Sequence, residues 1–213
     1  MNADEVALYL KTNPSFFERY ADLFSQVYVP HPHGGRAIPL ADRQMLKLRD
    51  QNRTLEAKLA ELMQFGEQND QLSDRVHRLA VALIQSDQLE PSLAALYSSL
   101  RDDFQVPHTA VRLWRGAGPQ PEFQSVSVPL REHAARLPRP FCGPNQSHEA
   151  AAWFAVGSEH IRSMALIPLR RGDDTFGLMV VASEDPQRFY SDMGTQHLER
   201  IGQLASAAIA AAI

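Results

Sequence analysis

The sequence predicts an α+β protein with an antiparallel sheet, preceded by an N-terminal helical, coiled-coil-like extension. Three observations predict it. Apolar residues recur at heptad spacing across residues 40–83. Two apolar runs, Ser163-Met-Ala-Leu-Ile-Pro-Leu169 and Phe176-Gly-Leu-Met-Val-Val-Ala182, flank the polar turn Arg170-Arg-Gly-Asp-Asp-Thr175, which is the pattern of a hairpin. The order of helices, one strand, an irregular middle, a hairpin and a last helix is that of an α+β domain.

Residues 3–25 read as two short helices. Val6, Leu8, Tyr9 and Leu10 form one apolar cluster, and Pro14 breaks it because it disfavours a helical Asn13. Phe16, Phe17, Tyr20, Leu23 and Phe24 follow at helical spacing and need something to pack on, most simply a partner subunit or the rod, or else another protein at Phe16, Phe17 and Tyr20. Val29-Pro-His-Pro-His-Gly-Gly35 reads as a loop.

The rod comes next. Leu48, Leu55, Leu62, Asn69, Val76 and Leu83 recur every seven residues and are assigned to a, with Phe65, Leu72 and Leu79 at d. In this frame the earlier d positions are the polar Gln44, Gln51 and Lys58, a poor seam. One Asn on the a stripe, Asn69, is of the kind that fixes register and strand number. Gly66 marks a kink or short break before a second helix ending near Ile84. The division expected is a helical region over 1–70 and a domain over 71–213.

Gln88-Leu-Glu-Pro91 opens a helix over about 91–103, burying Leu93, Leu96, Tyr97 and Leu100. After Pro107 the period becomes two: Thr109, Val111 and Leu113 share one strand face, Ala110, Arg112 and Trp114 the other. Val126 and Val128 suggest a short second strand. Short helices are expected over 130–137 and 149–156, with 138–145 irregular between them. Both hairpin strands are apolar on both faces, so they lie centrally. The final helix, 192–211, carries Leu198, Ile201, Leu204, Ala205 and Ala208 on one stripe.

Composition excludes several function classes. A net charge of −4 gives no electrostatic reason to expect nucleic-acid binding. No apolar run is long enough to span a bilayer, and residues 1–5 lack a basic region followed by an apolar block, so no membrane and no secretory signal are expected. A single cysteine, Cys142, forbids an intrachain disulfide. The expected place is the cytoplasm.

Several segments together resemble the bacterial DUF484 family, uncharacterised proteins whose C-terminal part is GAF-like. They are Val6-Ala-Leu-Tyr-Leu-Lys-Thr-Asn-Pro-Ser-Phe-Phe17, Val29-Pro-His-Pro-His-Gly-Gly35, Phe141-Cys-Gly143, Ser163-Met-Ala-Leu-Ile-Pro-Leu169, and the stretch from Phe176-Gly-Leu through Ser183-Glu-Asp-Pro-Gln-Arg-Phe-Tyr-Ser-Asp-Met-Gly-Thr195. The resemblance implies a GAF-like fold from about 75 to 213, in which an antiparallel sheet carries helices on one face and a pocket-forming loop region on the other. It implies dimerisation through the first and last helices, and ligands such as cyclic nucleotides, haem or bilins. The Asn-Lys-x-x-x-Phe-x-x-x-Asp-Glu pattern of cyclic-nucleotide GAF domains does not occur here. The cofactor is therefore unknown, and the resemblance implies a fold rather than an activity.

Candidate residues follow from these readings. A pocket over 139–166 would use Arg112, Trp114, Phe141, Cys142, Gly143, Trp153, Phe154 and Ser163; a filled core would use the same residues. Cys142 reads either as a ligand-bearing or redox-sensing thiol or as a small buried apolar residue. His31 and His33 are too few for zinc. No nucleophile elbow surrounds Ser163 or Ser183, and Asp173, Asp174, Glu184 and Asp185 fall in turns, so no enzyme is expected. The rod reads either as an intermolecular coiled coil or as a helix folded back on its own domain; a homodimer would use Leu55, Leu62, Phe65, Asn69, Leu72, Val76, Leu79, Leu198, Ile201 and Ala205. The expected function is a non-enzymatic sensory or regulatory module acting as a dimer, with a ligand-free interaction scaffold and a Cys142 redox sensor as alternatives.

Overall fold

The heptad stretch is one uninterrupted helix, and the period-two runs build one sheet. A computed structural model of the protein describes residues 2–29, 38–145, 149–154 and 158–213. The His31-Pro-His33 loop lies outside the described residues. The chain divides into two compact units, Met1–Glu67 and Gln68–Ile213.

The first unit opens with three short helices rather than two: α1 (Ala3–Thr12), α2 (Ser15–Arg19) and α3 (Ala21–Ser25). Asn2 caps α1 by accepting the Glu5 N–H at 2.8 Å while the Glu5 carboxylate accepts the Asn2 N–H at 2.9 Å. The expected second helix divides at Tyr20, whose backbone leaves the helical region. Aromatic rings hold the segment together locally, with Phe16 and Tyr20 centroids 4.7 Å apart. A two-residue ladder, β1 (Tyr28–Val29) against β2 (Ile38–Pro39), closes the base of the Pro- and Gly-rich segment.

Helix α4 (Leu40–Ile84) passes through Gly66 without the expected break. One interior glycine costs about 1 kcal/mol relative to alanine. Stopping a helix usually takes a left-handed residue at its end, and Gly66 is not among the positive-φ glycines. Its neighbours Leu62, Met63, Gln64, Glu67 and Gln68 are all good helix formers.

The second unit contains the end of α4, then α5 (Leu89–Asp102), β3 (His108–Leu113), α6 (Val128–Arg136), β4 (Phe141–Pro144), β5 (Ser163–Arg171), β6 (Asp174–Ser183) and α7 (Gln196–Ala212). The strands form an antiparallel sheet in the order β3-β6-β5-β4. The β5–β6 hairpin is as predicted, turning through Gly172 at φ +63. A register shift after Leu169 leaves Phe176 without a partner on β5, while its carbonyl accepts the Trp114 N–H at 2.9 Å and its ring joins the helix-side core.

Both faces of the sheet are covered, which is why its central strands are apolar throughout. Val111, Leu113, Ala165, Ile167, Leu169, Met179 and Val181 face a helical layer of Val76, Leu79 and Leu83 (α4), Leu93, Leu96 and Leu100 (α5), and Ile201, Ala205 and Ile209 (α7). Ala110, Met164, Leu166, Leu178, Val180 and Ala182 face the other way, under Val126, Leu130, Ala134, Phe154 and Ile161. The predicted alternation along β3 is therefore what the structure shows.

The middle of the chain differs from its sequence reading. Val126 and Val128 do not form a strand. Ser127 caps α6 by accepting the Leu130 N–H at 3.3 Å, and Pro129 suits the first turn, so a helix start outweighs two β-branched residues. The stretch expected to be irregular contains edge strand β4, whose prolines and Gly143 hide it from propensity; pairing with β5 supplies its backbone bonds. Glu149–Trp153 is a 3-10 segment rather than an α-helix.

Candidate functional site

The sheet face away from the long helices is where the family resemblance implies a pocket, and four of the eight candidates meet there. Arg112 and Trp114 alternate with Ala110 along β3, while Trp153 and Phe154 come from the segment that covers them. The Arg112 guanidinium is buried, donates from Nη1 to the Val111 carbonyl at 2.9 Å and from Nη2 to Gln124 Oε1 at 3.1 Å, and stacks 5.1 Å from the Trp153 ring centroid. Burial pushes its pKa down, against the opposing pull of Tyr97 and Glu122. Trp114 donates from Nε1 to the Thr175 carbonyl at 2.7 Å and lies under Arg131, 5.8 Å away.

Phe141 and Gly143 lie on edge strand β4, opposite Leu166 and Met164, and Cys142 and Ser163 do not share that face. Cys142 sits in the helix-side core on the opposite face, 5% exposed, and burial pushes its thiol up to about 11. A redox-sensing thiol needs the reverse, an exposed and acidic group. Ser163 is fully buried, donates to the Asp185 carbonyl at 2.6 Å and accepts the Phe189 N–H at 3.4 Å, which fixes the β6–α7 connection. Phe141 stays 37% exposed, its ring against Gly143.

The face itself is packed. Leu130, Ala134, Phe154 and Ile161 close over Met164, Leu166, Leu178 and Val180, the last four fully buried. The residues that fill it are thus mostly others than the aromatics singled out in the sequence. A polar cluster at its margin was also missed. Tyr97 donates to the buried Glu122 at 2.7 Å, and burial together with that carboxylate holds the Tyr97 phenol well above its ordinary pKa. Glu122 lies in a stretch without periodicity, so no sequence pattern marks it as buried.

At the rim of that face a cavity of about 420 Å³ falls within the expected 139–166 stretch, lined by Asn145, Ala151, Ala152, Ser158, Glu159, Ile161 and Arg162. Two others lie against α7. One of about 340 Å³ sits between α7, the end of β5 and residues 138–140, with Arg139, Arg170, Glu199, Gln203 and Ser206 in its wall. Arg170 is already engaged: its guanidinium donates to Leu137 and, at 3.2 Å, to Ala135, the last carbonyls of α6. The other, of about 290 Å³, is a mainly apolar groove between the end of α4 and α7, lined by Leu83, Ile84, Leu204, Ala207, Ala208 and Ala211.

The interface candidates separate along α4. Leu55, Leu62 and Phe65 are 63%, 66% and 56% exposed. Asn69 is engaged within the chain through its Oδ1, which lies 2.9 Å from His197 Nε2 on α7. Leu72 and Leu198 are half-buried against the core, and Val76, Leu79, Ile201 and Ala205 are buried within the chain, so these four have no area left for a second copy.

Comparison with known proteins places this architecture. The uncharacterized protein YigA of Salmonella typhimurium strain LT2 is 27% identical over 207 residues, covering 91% of this chain and 84% of the relative. YigA of Escherichia coli strain K12 is also 27% identical, over 202 residues with the same coverage. The GAF domain of an Acinetobacter phosphoenolpyruvate-protein phosphotransferase superposes with a TM-score of 0.51 at 21% identity, over 64% of this chain and 91% of that domain. The A. aeolicus nlh2 GAF domain in an inactive state gives 0.50 at 16% identity, over 67% and 97%. These likenesses establish the GAF fold. A family model described as a protein of unknown function, DUF484, matches residues 1–210, and the chain belongs to that family.

Proposed function

We propose that the protein is a non-enzymatic regulatory module that acts as a homodimer and works through helical surfaces. One observation carries this reading. Every residue from 47 to 71 of α4 is exposed, and among them are Leu48, Leu55, Leu59, Leu62, Met63 and Phe65. A helix with no buried side draws little stability from propensity alone, and so large an apolar surface marks an interface. The exposed Leu8, Tyr9, Phe17, Tyr20 and Leu23 of the N-terminal helices give a second surface of the same character, suited to a protein partner.

The packed sheet face supports the interaction scaffold over a small molecule held directly on the sheet, which leaves the rim cavity beside Asn145 and Arg162 as the place for a sensor's ligand. A ligand on the sheet itself would have to displace Leu130, Phe154 or Ile161 from the core. Native mass spectrometry of protein purified gently from its host tests both parts together. The expected spectrum is a dimer with no added mass. A dimer carrying a fixed, stoichiometric small molecule would overturn the scaffold in favour of a ligand sensor, and a monomer would overturn the dimeric mechanism.

A further inference from the structure

The exposed part of α4 carries an apolar stripe in a different heptad frame from the one the leucine repeat first suggests. Exposed Met45 and Leu59 fall on the same stripe as Leu48, Leu55 and Leu62. Steps of three and four then alternate without interruption through Met45, Leu48, Asn52, Leu55, Leu59 and Leu62. Leu48, Leu55 and Leu62 become d, and Met45, Asn52 and Leu59 become a. The polar Gln44, Gln51 and Lys58 move off the seam to flanking g positions.

The frame changes at Leu62. Leu59, Leu62 and Phe65 are separated by two successive steps of three, after which Asn69, Leu72, Val76, Leu79 and Leu83 resume the alternation. Two such steps are a stammer, which shifts the apolar stripe around the helix. The stripe after the stammer ends in Val76, Leu79 and Leu83, buried in the chain's own core, whereas the stripe before it is uncovered.

We infer that residues 45–62 of two copies pair as a parallel, in-register, two-stranded coiled coil. This rests on the dimeric reading above and adds its surface, orientation and register. The occupant of the stripe is a second copy because the stripe matches itself. Leu repeats at d, and a single Asn at a specifies two strands in one register. Orientation follows from Asn52. In a parallel pair it meets the partner's Asn52, and each amide can donate to and accept from the other. In an antiparallel pair, a meets d, and Asn52 faces the apolar partner's Leu55. The antiparallel pair does set Arg49 near the partner's Glu56. That ion pair stays in water, where it contributes little, whereas an amide left unpaired in the seam loses its hydrogen bonds. The parallel flanks, Gln44 with Arg49, Gln51 with Glu56 and Lys58 with Met63, bring no like charges together.

Disulfide trapping in the full-length chain tests this. Met45→Cys and Leu62→Cys proteins are oxidised mildly, each alone and as an equal mixture, with the parental chain and its buried Cys142 as the control. The two positions lie about 25 Å apart along a helix. Each variant alone is expected to become mainly covalent dimer, with none from the parental chain. Cross-links only in the mixture would mean antiparallel helices and overturn the proposal. A non-covalent dimer with no cross-link in any sample would also overturn it, leaving dimerisation standing through another surface. A monomer by light scattering would overturn this inference together with the dimeric reading.

Discussion

Cys142 shows how one residue's surroundings bear on two sequence readings. Both a sensing thiol and a small core residue are consistent with Arg139-Pro-Phe-Cys-Gly-Pro144. Burial beside Ala165 raises the thiol from 9.0 to about 11, with no charged group among the causes. At pH 8 this alone lowers the thiolate fraction about 100-fold. Ellman's reagent at pH 8 is therefore expected to label the native protein at least that much more slowly than the protein in strong denaturant; equal rates would show that the thiol is open. The Tyr97–Glu122 pair makes the opposite point, because nothing in the sequence announced it. Tyr97→Phe removes the 2.7 Å hydrogen bond and strands a carboxylate that is only 7% exposed. A loss of about 1–3 kcal/mol is expected in urea titrations. Position 202 can be judged in the same way: a Cβ there would lie 2.6 Å from Ile167 Cγ2, where α7 meets β5. The stripe Leu198, Ile201, Leu204, Ala205 and Ala208 was legible from its 3.6-residue period, but that Gly202 sits at the closest approach was not, because periodicity reports faces and not distances.

Among the elements, α4 was the easiest to see and the hardest to interpret. Its leucine repeat named the helix, yet the same residues fit two frames, and only exposure at Met45 and Leu59 distinguishes them. Strand β4 was illegible for a different reason: its backbone partners are the residues of β5, some 20 positions away, and Pro140, Gly143 and Pro144 speak against a strand locally. The two halves of α4 are expected to respond differently to truncation. Leu79 is fully buried among the helices, so Leu79→Ala should cost about 2–5 kcal/mol at any protein concentration. Leu55→Ala removes an exposed side chain and should leave a monomer's stability nearly unchanged, while weakening association in sedimentation equilibrium. The contact between α4 and α7 at Asn69 and His197 adds a pH dependence. Burial and Arg200 lower the His197 pKa in the folded state, so the unfolded chain takes up the proton first. The stabilising contribution is complete above the unfolded value near 6.5 and is lost as pH falls through the lowered one. Melting temperature should thus fall less steeply from pH 7 to pH 5.5 in His197→Gln than in the parental chain.

At the scale of the whole molecule, the two compact units draw their order from different sources. Gln68–Ile213 closes its own core: the buried apolar residues on both sheet faces run from Val76 to Ile209 and all belong to it. Among its described residues, Met1–Glu67 has nothing comparable. None of α1 or α2 is buried, and α4 is fully exposed from residue 47 to its end in this unit. Helical segments of this kind are marginal in water unless an apolar face is covered. If a second copy supplies the cover, their stability depends on protein concentration by mass action, whereas a core closed within one chain does not. Thermal melting followed by circular dichroism is therefore expected to show two steps. The step carrying the helical signal of the first unit should move to lower temperature on hundredfold dilution, and the step carrying the sheet should stay in place. A single step that ignores dilution would mean that residues 47–71 are held by their own chain, and the apolar stripe would then need an explanation other than pairing.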